Sequence, residues 1–317
     1  MSWAQEELGG IDLGDRRLNK RAVLLAERLS AHPSSSIPMA CGGWAETQAA
    51  YRFFAQEEIT WDALLAPHWR CAEERMRARD FVLCIQDTTE LDFNGQSIDG
   101  LGPLSFEAQR GMYLHTTYAI TPEREPLGVM DAWMWAREPR DASGQRGGPC
   151  ESLRWIEGYE RVAERAQDMP DTRFMYVADR EADIVALMAR ARDLGTPADW
   201  LIRACHNRAL PSGEKLWASV QADEALGELR FTLPARPGQA ARVVCQQLRA
   251  KRVQLNDGMG GQVEATCLVA SEESPPEGAK PVVWRLLTNR AVSTLEEAAG
   301  LIDCYRARWE IEIFFHV

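Results

Sequence analysis

The chain has 317 residues, of which 45% are hydrophobic and 26% are charged. This length is enough for about two domains with buried cores, and the composition excludes a disordered, collagen-like or coiled-coil protein. The 36 basic and 47 acidic residues leave a formal net charge of −11, which by itself argues against a nucleic-acid partner. Composition does not show whether this acidic surplus is spread evenly or concentrated at one site.

The sequence carries no recognisable sorting signal or zinc-binding pattern. Its first residues include neither the basic region nor the apolar run of a secretory signal peptide, and no segment has the roughly 18 apolar residues that a membrane span needs. The eight cysteines include no CxxC pair and the five histidines are scattered, which argues against a zinc site of the usual kind. We therefore expect a reduced, cytoplasmic protein with no membrane partner.

Residues 1–70 are predicted to be helical. Asp12 and Asp15 can cap a first helix that has apolar side chains at helical spacing. These apolar side chains are Leu18, Ala22, Leu25 and Leu29. The opposite face is basic and consists of Arg16, Arg17, Lys20, Arg21 and Arg28. The double glycine at 42–43 starts a second helix that runs through Phe54. From the pattern alone, the basic face is either a solvated surface or a phosphate-binding one.

Residues 71–208 change between strand and helix patterns. The predicted strands are 81–86, 113–121, 127–135, 173–178 and 199–204. The predicted helices are 69–79, 150–167 and 182–194, and a polar, glycine-rich loop covers 137–149. A meander of strands followed by strands that alternate with helices indicates a mixed sheet covered by helices.

Residues 209–291 are predicted to form an all-β insertion. Its strands are predicted at 229–233, 241–255, 263–270 and 282–288, with turns at 234–238 and 256–261. The last segment, 294–317, is predicted to be helical. The predicted fold class is therefore α/β, with a mixed sheet, a helical N-terminal domain and a β-rich insertion.

Acidic residues follow two of the predicted strands. Asp87 comes directly after 81–86, and Asp179 comes directly after 173–178. A carboxylate at the end of a buried strand is held rigidly while it faces solvent, which suits a metal ligand. Taken singly, each aspartate is more often a helix cap or a turn residue.

A third group of polar residues lies in the last predicted helix. Tyr305, Arg308 and Glu312 are spaced i, i+3, i+7 and so share one helical face. The alternative for this group is a surface ion pair between Arg308 and Glu312. If the group meets Asp87 and Asp179, however, its carboxylate completes a ligand set for two divalent cations about 4 Å apart, as used in phosphoryl transfer. Magnesium prefers such hard oxygen ligands.

The sequence resembles the DDE transposases of the insertion-sequence family that includes the cut-and-paste transposase of the kanamycin-resistance composite transposon. The resemblance covers essentially the whole chain, and its Asp-Arg-Glu-Ala-Asp and Tyr-x2-Arg-x3-Glu motifs are highly specific in combination. The matching stretches are Leu13–Arg17, Ala50–Phe54, Asp87–Thr89, Glu151–Trp155, Asp179–Ile184, Leu286–Thr288 and Tyr305–Glu312.

The resemblance implies a domain organisation. The expected order is a DNA-end-binding helical domain at 1–70, the first part of a ribonuclease-H-like catalytic core at 71–208, a β-rich insertion at 209–291 and a catalytic helix at 292–317. It also implies a nucleoid-associated location, double-stranded DNA partners at transposon ends and at target sites, and a homodimer in the full-length family.

The resemblance also implies roles for single residues. Asp87, Asp179 and Glu312 correspond to a metal-binding triad for two Mg²⁺ ions, which Mn²⁺ can replace. Tyr305 and Arg308 correspond to phosphate partners and complete the catalytic set. Expected DNA contacts are Arg16, Arg17, Lys20, Arg52, Arg154, Arg180, Arg203 and Trp284. The last of these would stack on a flipped base, and its alternative role is that of a core residue.

The implied reaction is metal-dependent strand cleavage followed by strand transfer. Water nicks one strand, the new 3′-hydroxyl forms a hairpin with the opposite strand, water opens the hairpin, and the 3′-hydroxyl then attacks target DNA. The family signature ends with a lysine that would fall at position 319, beyond Val317. We therefore expect a C-terminally truncated enzyme with impaired activity. The alternatives are a non-catalytic DNA-end-binding fragment that inhibits transposition, and a decayed remnant.

Overall fold

A computed structural model describes residues 2–235 and 240–316. In this part of the chain, N-terminal helices precede a ten-stranded mixed sheet that has helices on both faces. The mixed α/β class predicted from the sequence is confirmed. Most of the turn predicted at 234–238 lies outside the described residues. Within the described residues, no helix is long and apolar enough to cross a membrane.

The N-terminal region is helical, as predicted. Its helices are α1 (Trp3–Leu8), α2 (Arg16–Ala31), α3 (Ile37–Ala40), α4 (Trp44–Phe54) and α5 (Trp61–Arg77). Asp15 caps α2 by accepting a hydrogen bond from the Arg17 backbone N–H, whereas Asp12 accepts from Gly14 in the preceding turn. A small core of its own holds this region together, made of Ile11, Ala22, Leu25, Cys41, Ala50 and Phe53.

Helix α5 differs from its predicted bounds. It begins at Trp61 instead of residue 69, and it contains Pro67 in its interior. The predicted helix begins after this proline, a residue type that usually breaks a helix. Here the ring lies in the second turn, where it removes a single backbone hydrogen bond while the helix packs along β4. The predicted domain boundary at residue 70 falls within α5, and the division into domains stays a prediction.

The first half of the sheet has antiparallel strands followed by parallel ones. The strands are β1 (Phe81–Asp92), β2 (Gly102–Pro103), β3 (Arg110–Ile120), β4 (Pro126–Trp135), β5 (Arg173–Ala178) and β6 (Asp199–Arg203). β3 pairs antiparallel with β1 and with β4, whereas β5 pairs parallel with β1 and with β6. Helices α6 (Leu153–Asp168) and α7 (Val185–Asp193) cover one face.

Two boundaries in this half correct the predictions. β1 does not end at Gln86 but continues to Asp92, because β3 pairs with it from Leu83 to Asp92. The predicted helix 182–194 begins only at Val185, because Arg180–Ala182 form a short 3₁₀ turn.

The segment 209–291 is not all β and does not form a sheet of its own. It contains helix α8 (Leu216–Gln221) followed by β7 (Gly227–Leu233), β8 (Arg242–Asn256), β9 (Gln262–Glu272) and β10 (Val283–Thr288). Helix α8 escaped prediction because six residues are too few to show a helical period. β10 pairs antiparallel with β6, so these strands extend the central sheet.

The C-terminal segment crosses the second face of the sheet. Helix α9 (Leu295–Arg306) begins with a reciprocal capping box between Thr294 and Glu297 and is followed by a 3₁₀ turn and α10 (Glu310–Phe315). The single predicted helix is therefore interrupted at 307–309. Tyr305, Ala307 and Ile311 bury against Leu83 and Ile85 of β1, which brings this segment to the centre of the molecule.

Candidate active site and nucleic-acid surface

Two aspartates lie side by side where β1 and β5 stop pairing. The last parallel pair aligns Gln86 with Ala178, so the next residues, Asp87 and Asp179, lie at the same level of the sheet. Asp87 is inside the longer β1 strand instead of after it, since β3 continues to pair with β1. Ile85 and Asp87 share the face of β1 on which α9 and α10 pack.

The C-terminal segment places its polar side chains against these aspartates. The Arg308 guanidinium donates to the Asp87 carboxylate at 2.7 Å and to the Glu312 carboxylate at 3.0 Å, and it lies 3.7 Å from the Asp179 carboxylate. The Tyr305 hydroxyl lies 3.2 Å from Asp179 and donates to it. The structure thus brings together all five residues that the motifs indicated. The Arg308 side chain is only 2% exposed, so the surface ion-pair alternative is wrong.

The site has more negative than positive charge. Three carboxylates surround one buried guanidinium, and burial raises the pKa of Asp87 to about 6 even though the Thr88 N–H and Arg308 oppose this. Burial also raises the pKa of Tyr305 to about 12, so its hydroxyl is protonated at neutral pH and can donate a hydrogen bond. Burial would lower the pKa of Arg308, but Tyr305, Asp179 and Asp87 raise it by more.

The donor set suits hard divalent cations. Asp87, Asp179 and Glu312 offer only carboxylate oxygens, which Mg²⁺ and Mn²⁺ prefer. A cation would offset the excess of carboxylates over the buried guanidinium. Arg308 contacts the same oxygens, and its Nε is buried without a hydrogen-bond partner.

A second group of metal-ligating atoms does not suit a cation. Atoms of Asp183, Cys205 and His206 lie within 4.8 Å of one another. The Asp183 carboxylate, however, already accepts the backbone N–H groups of Cys205 and His206 and forms an ion pair with Arg208. A metal ion would have to displace these partners, so the group has a structural role.

Two expected DNA contacts lie beside the acidic site. Arg203 ends β6, and its guanidinium is 3.5 Å from the Asp179 carboxylate. The backbone N–H of Arg180 donates to the same carboxylate at 2.7 Å, while the Arg180 side chain is exposed to solvent. Both residues therefore border the carboxylates, with Arg180 free to reach a ligand.

Trp284 lies at the same edge of the sheet but is half-buried. Two residues further along β10, Leu286 pairs with Arg203, which places Trp284 just beyond the end of β6. One face of its indole stacks on Phe231, with ring centroids 5.6 Å apart and planes within 10°. A flipped base could stack only on the other face. The packing therefore favours the core role that the sequence left open.

Arg154 is separated from the acidic site by the sheet. Its guanidinium lies 3.6 Å from the centre of the Trp135 ring, in a cleft of about 670 Å³ that several arginines line. Trp135 aligns through Tyr113 with Glu90, three residues along β1 from Asp87. Side chains an odd number of residues apart point to opposite faces of a sheet. Arg154 therefore lies on the face of the sheet opposite the acidic residues, near the same edge of the sheet.

The basic face of α2 is exposed. Arg16, Arg17 and Lys20 are exposed and form no ion pair with any residue that the structure describes, whereas Arg28 pairs with Glu46. Unpaired, exposed cations on one helical face suit contacts with phosphates.

Helix α4 carries a second exposed face that the sequence reasoning did not identify. Trp44 is 74% exposed and Tyr51 is 51% exposed, and they lie on the side of α4 that also carries Gln48 and Arg52. The available signal in the sequence is their spacing on the side of α4 opposite the buried Phe53. Exposed aromatic rings are costly on a helix with no partner, so they indicate a contact surface.

The match of the first 59 residues to a family model supports a DNA-binding role for this region. Residues 1–59 match the family model described as transposase DNA-binding, a match that includes α1 to α4. The cryo-EM structure of the piggyBac transposase synaptic complex with hairpin DNA is similar over 99% of this chain and 64% of that chain. The TM-score is 0.48 and the sequence identity is 9%. This chain therefore spans less than two thirds of that protein.

Proposed function

We propose that this protein is a DDE-type DNA transposase that cleaves and joins DNA strands at the acidic site with two divalent metal ions. The observation that carries the proposal is the convergence of Asp87, Asp179 and Glu312 around the buried Arg308. The match of residues 1–59 to a transposase DNA-binding family supports a DNA substrate.

The order of strands supports a ribonuclease-H-like core. The strands β4, β3 and β1 are antiparallel, and β1 then pairs parallel with β5, which pairs parallel with β6. This sheet presents one aspartate in its first strand and another directly after the next parallel strand. The strands β7 to β10 extend the sheet before the chain returns with Glu312, as expected for an insertion between the second and third acidic residues.

In this proposal the three carboxylates hold Mg²⁺ or Mn²⁺. Such ions, when bound, neutralise the phosphate and lower the pKa of water. Tyr305, protonated at neutral pH, donates a hydrogen bond to a phosphate oxygen. Arg308 and the neighbouring Arg203 pair with the phosphodiester and hold it in line for displacement.

The bond changes are the same in every step. In the nick, the oxygen of water forms a bond to phosphorus, the bond from phosphorus to the 3′-oxygen breaks, and that oxygen leaves as a 3′-hydroxyl. The 3′-hydroxyl then replaces water as the nucleophile, first on the opposite strand to form a hairpin and later on target DNA. A water molecule opens the hairpin between these two steps. No covalent bond to the protein forms.

The N-terminal helices bind the transposon end in this proposal. The exposed cations of α2 contact phosphates, and the exposed face of α4, with Arg52, faces the DNA grooves. Arg180 contacts DNA beside the acidic site, and Arg154 contacts it from the other face of the same sheet edge. A base could stack on Trp284 only on the indole face that points away from Phe231. Two copies of the chain acting on two ends would form the homodimer that the resemblance implies.

A second candidate function is a DNA-end-binding protein that occupies ends without cleaving them. The specific observation in its favour is the separate small core of the N-terminal helices, which lets the basic face keep its shape independently of the acidic site. Such a protein would bind ends as tightly as an active transposase and inhibit transposition.

The decisive experiment selects DNA duplexes from a randomised pool by binding and then tests the selected duplex for nicking with Mg²⁺ or Mn²⁺. Wild type is expected to nick the duplex, and Asp87→Ala is expected to reduce nicking to background while it still binds. Asp193→Asn, a change of an exposed acid in α7, is the matched control and is expected to nick normally. Equal nicking by wild type and Asp87→Ala would reject the acidic site, and binding without nicking in wild type would favour the second candidate.

A further inference from the structure

The turn that carries Asp179 is fastened by a buried carboxylate four residues later. Asp179 precedes the 3₁₀ turn Arg180–Ala182, and Asp183 follows it. The Asp183 side chain is fully buried, although aspartate is rarely buried unless it is paired. Its location in the motif that includes Asp179 therefore calls for a physical explanation.

The Asp183 carboxylate joins the turn after β5 to the segment after β6. One of its oxygens accepts the backbone N–H of Cys205 at 2.8 Å and that of His206 at 3.0 Å. Arg208 lies 2.6 Å from the other oxygen and donates to the Asp183 carbonyl at 2.7 Å. Two loops that are 22 residues apart in sequence are thus locked together by one buried ion pair and its hydrogen bonds.

This lock acts on Asp179 from both sides. On one side, the 3₁₀ turn sets the backbone N–H of Arg180, which donates to the Asp179 carboxylate at 2.7 Å. On the other side, Arg203 is the last residue of β6, two residues before Cys205, and its guanidinium lies 3.5 Å from the same carboxylate. If the contacts of Asp183 with Arg208 and with the backbone N–H groups broke, Asp179 would no longer be held at a fixed position relative to the Arg180 N–H and the Arg203 guanidinium.

We infer that Asp183 and Arg208 are positioning residues that hold Asp179 in place as a metal ligand. This inference rests on the proposed function, since it requires that the acidic site binds a divalent cation. Neither residue contacts the acidic site itself. Groups that orient a metal ligand from behind typically change metal affinity by 10–100-fold when they are altered.

The test is the affinity of the full chain for Mn²⁺ alone, measured by electron paramagnetic resonance or by titration calorimetry without DNA. Asp183→Asn keeps the shape of the side chain but removes the charge that pairs with Arg208, and Arg208→Lys keeps the charge but loses the planar two-pronged contact. We expect Asp183→Asn to weaken Mn²⁺ binding at least tenfold and Arg208→Lys to weaken it less. The number of bound ions is expected to stay the same.

The matched control is Arg242→Gln. Arg242 pairs with the buried Glu272 between β8 and β9, so this variant also breaks an ion pair whose carboxylate is buried, but in strands away from the acidic site. It is expected to lower thermal stability and leave Mn²⁺ affinity unchanged. Thermal unfolding of all variants shows which are folded, and Arg208→Lys carries the test if Asp183→Asn does not fold.

The outcomes separate the inference from the proposed function. If wild type binds no Mn²⁺, both are overturned. If wild type binds Mn²⁺ and folded Asp183→Asn and Arg208→Lys bind it equally well, only the positioning role is overturned. The same result follows if Arg242→Gln weakens Mn²⁺ binding as much as the Asp183 and Arg208 variants do, because the effect would then reflect general destabilisation.

Discussion

The acidic site and the N-terminal helices carry their charges in different ways. In the acidic site, Arg308 is buried and every carboxylate in reach competes for it. On α2, the cations Arg16, Arg17 and Lys20 face solvent without an ion-pair partner among the described residues. The carboxylates of the acidic site suit the binding of a metal cation, and the exposed bases of α2 suit the binding of a polyanion such as DNA. A net charge of −11 is thus compatible with DNA binding, because the acids and the exposed bases lie in different regions.

The largest expected effect separates the two regions by function. Asp87→Asn removes one of three carboxylates and is expected to reduce metal-dependent nicking at least a hundredfold, because fewer charged oxygens remain to hold the cations. DNA binding without metal is expected to stay within twofold, because the cations of α2 are untouched. Nicking is measured on gels and binding by fluorescence anisotropy. A parallel loss of binding would show that the two regions are not independent.

A large loss of stability is expected when the buried cation is removed. Arg308→Met leaves Asp87 and Glu312 without their ion-pair partner and Asp179 with only Arg203, and is expected to lower the free energy of unfolding by about 3 kcal/mol. Denaturant titration measures this loss. Because a divalent cation would replace the missing charge, Mn²⁺ is expected to restore more stability to this variant than to wild type. No difference in the response to Mn²⁺ would contradict the cation site.

The pH dependence of stability tests a buried histidine on the opposite face of the sheet from the acidic site. Burial lowers the pKa of His115 from 6.5 to about 3, so below pH 6.5 the unfolded chain binds a proton that the folded chain refuses. The contribution of His115 is therefore complete above pH 6.5 and is lost as the pH falls toward 3, by about 1.4 kcal/mol for each pH unit. Denaturant titrations of wild type and His115→Gln between pH 7 and pH 4 should diverge. His32→Gln, a change at an exposed position, should follow wild type.

A smaller loss is expected from a methyl group beneath the acidic site. In α6, a side chain at Gly158 would overlap the amide of Gln86, a buried residue that also accepts a hydrogen bond from Tyr176. Gly158→Ala is expected to destabilise the fold by about 2 kcal/mol. The control is Gly300→Ala in α9, where a Cβ meets nothing within 4 Å. This change is expected to stabilise the protein by up to about 1 kcal/mol, because alanine favours helix. Thermal unfolding measures whether each variant is less or more stable than wild type.

The smallest effect is expected on DNA binding, from changes to the exposed basic face of α2. Changing Arg16, Arg17 and Lys20 to Gln together is expected to weaken DNA binding roughly tenfold at about 0.1 M salt. The log–log salt dependence should fall by about 0.9 for each phosphate that the variant no longer neutralises. Arg28→Gln is the matched control, because Arg28 is already paired with Glu46. Stability should not change in either variant. An unchanged salt slope in the triple variant would remove α2 from the DNA interface.

Short-range patterns predicted most of the elements. The cap at Asp15, the apolar period of α2 and the buried run before Asp179 all depend on neighbours within a few residues, and each prediction is confirmed. The failures occurred where a distant partner or a short length decided the result. β1 continues past Gln86 because β3 pairs with it, and the six-residue helix α8 is too short to show a period.

The candidate site could be predicted in its members but not in its arrangement. The motif spacings, with the resemblance that they support, indicated Asp87, Asp179, Tyr305, Arg308 and Glu312. The sequence could not show that Arg308 is buried among the carboxylates, since it lies 221 residues from Asp87. Nor could it show that Phe231 covers one face of Trp284 or that the sheet separates Arg154 from the acids, because both depend on strand register.

The sequence alone therefore determined which residues are candidates for the chemistry, where most of the helices and strands lie, and that a basic helical face exists. Residue type and local spacing determine these properties. Only the tertiary structure decided that the acids share one guanidinium, that Asp183 locks the turn of Asp179, and that 209–291 extends the central sheet. These features depend on contacts between segments far apart in the chain, which form only when β1 pairs with β5, β6 pairs with β10, and α9 packs across them.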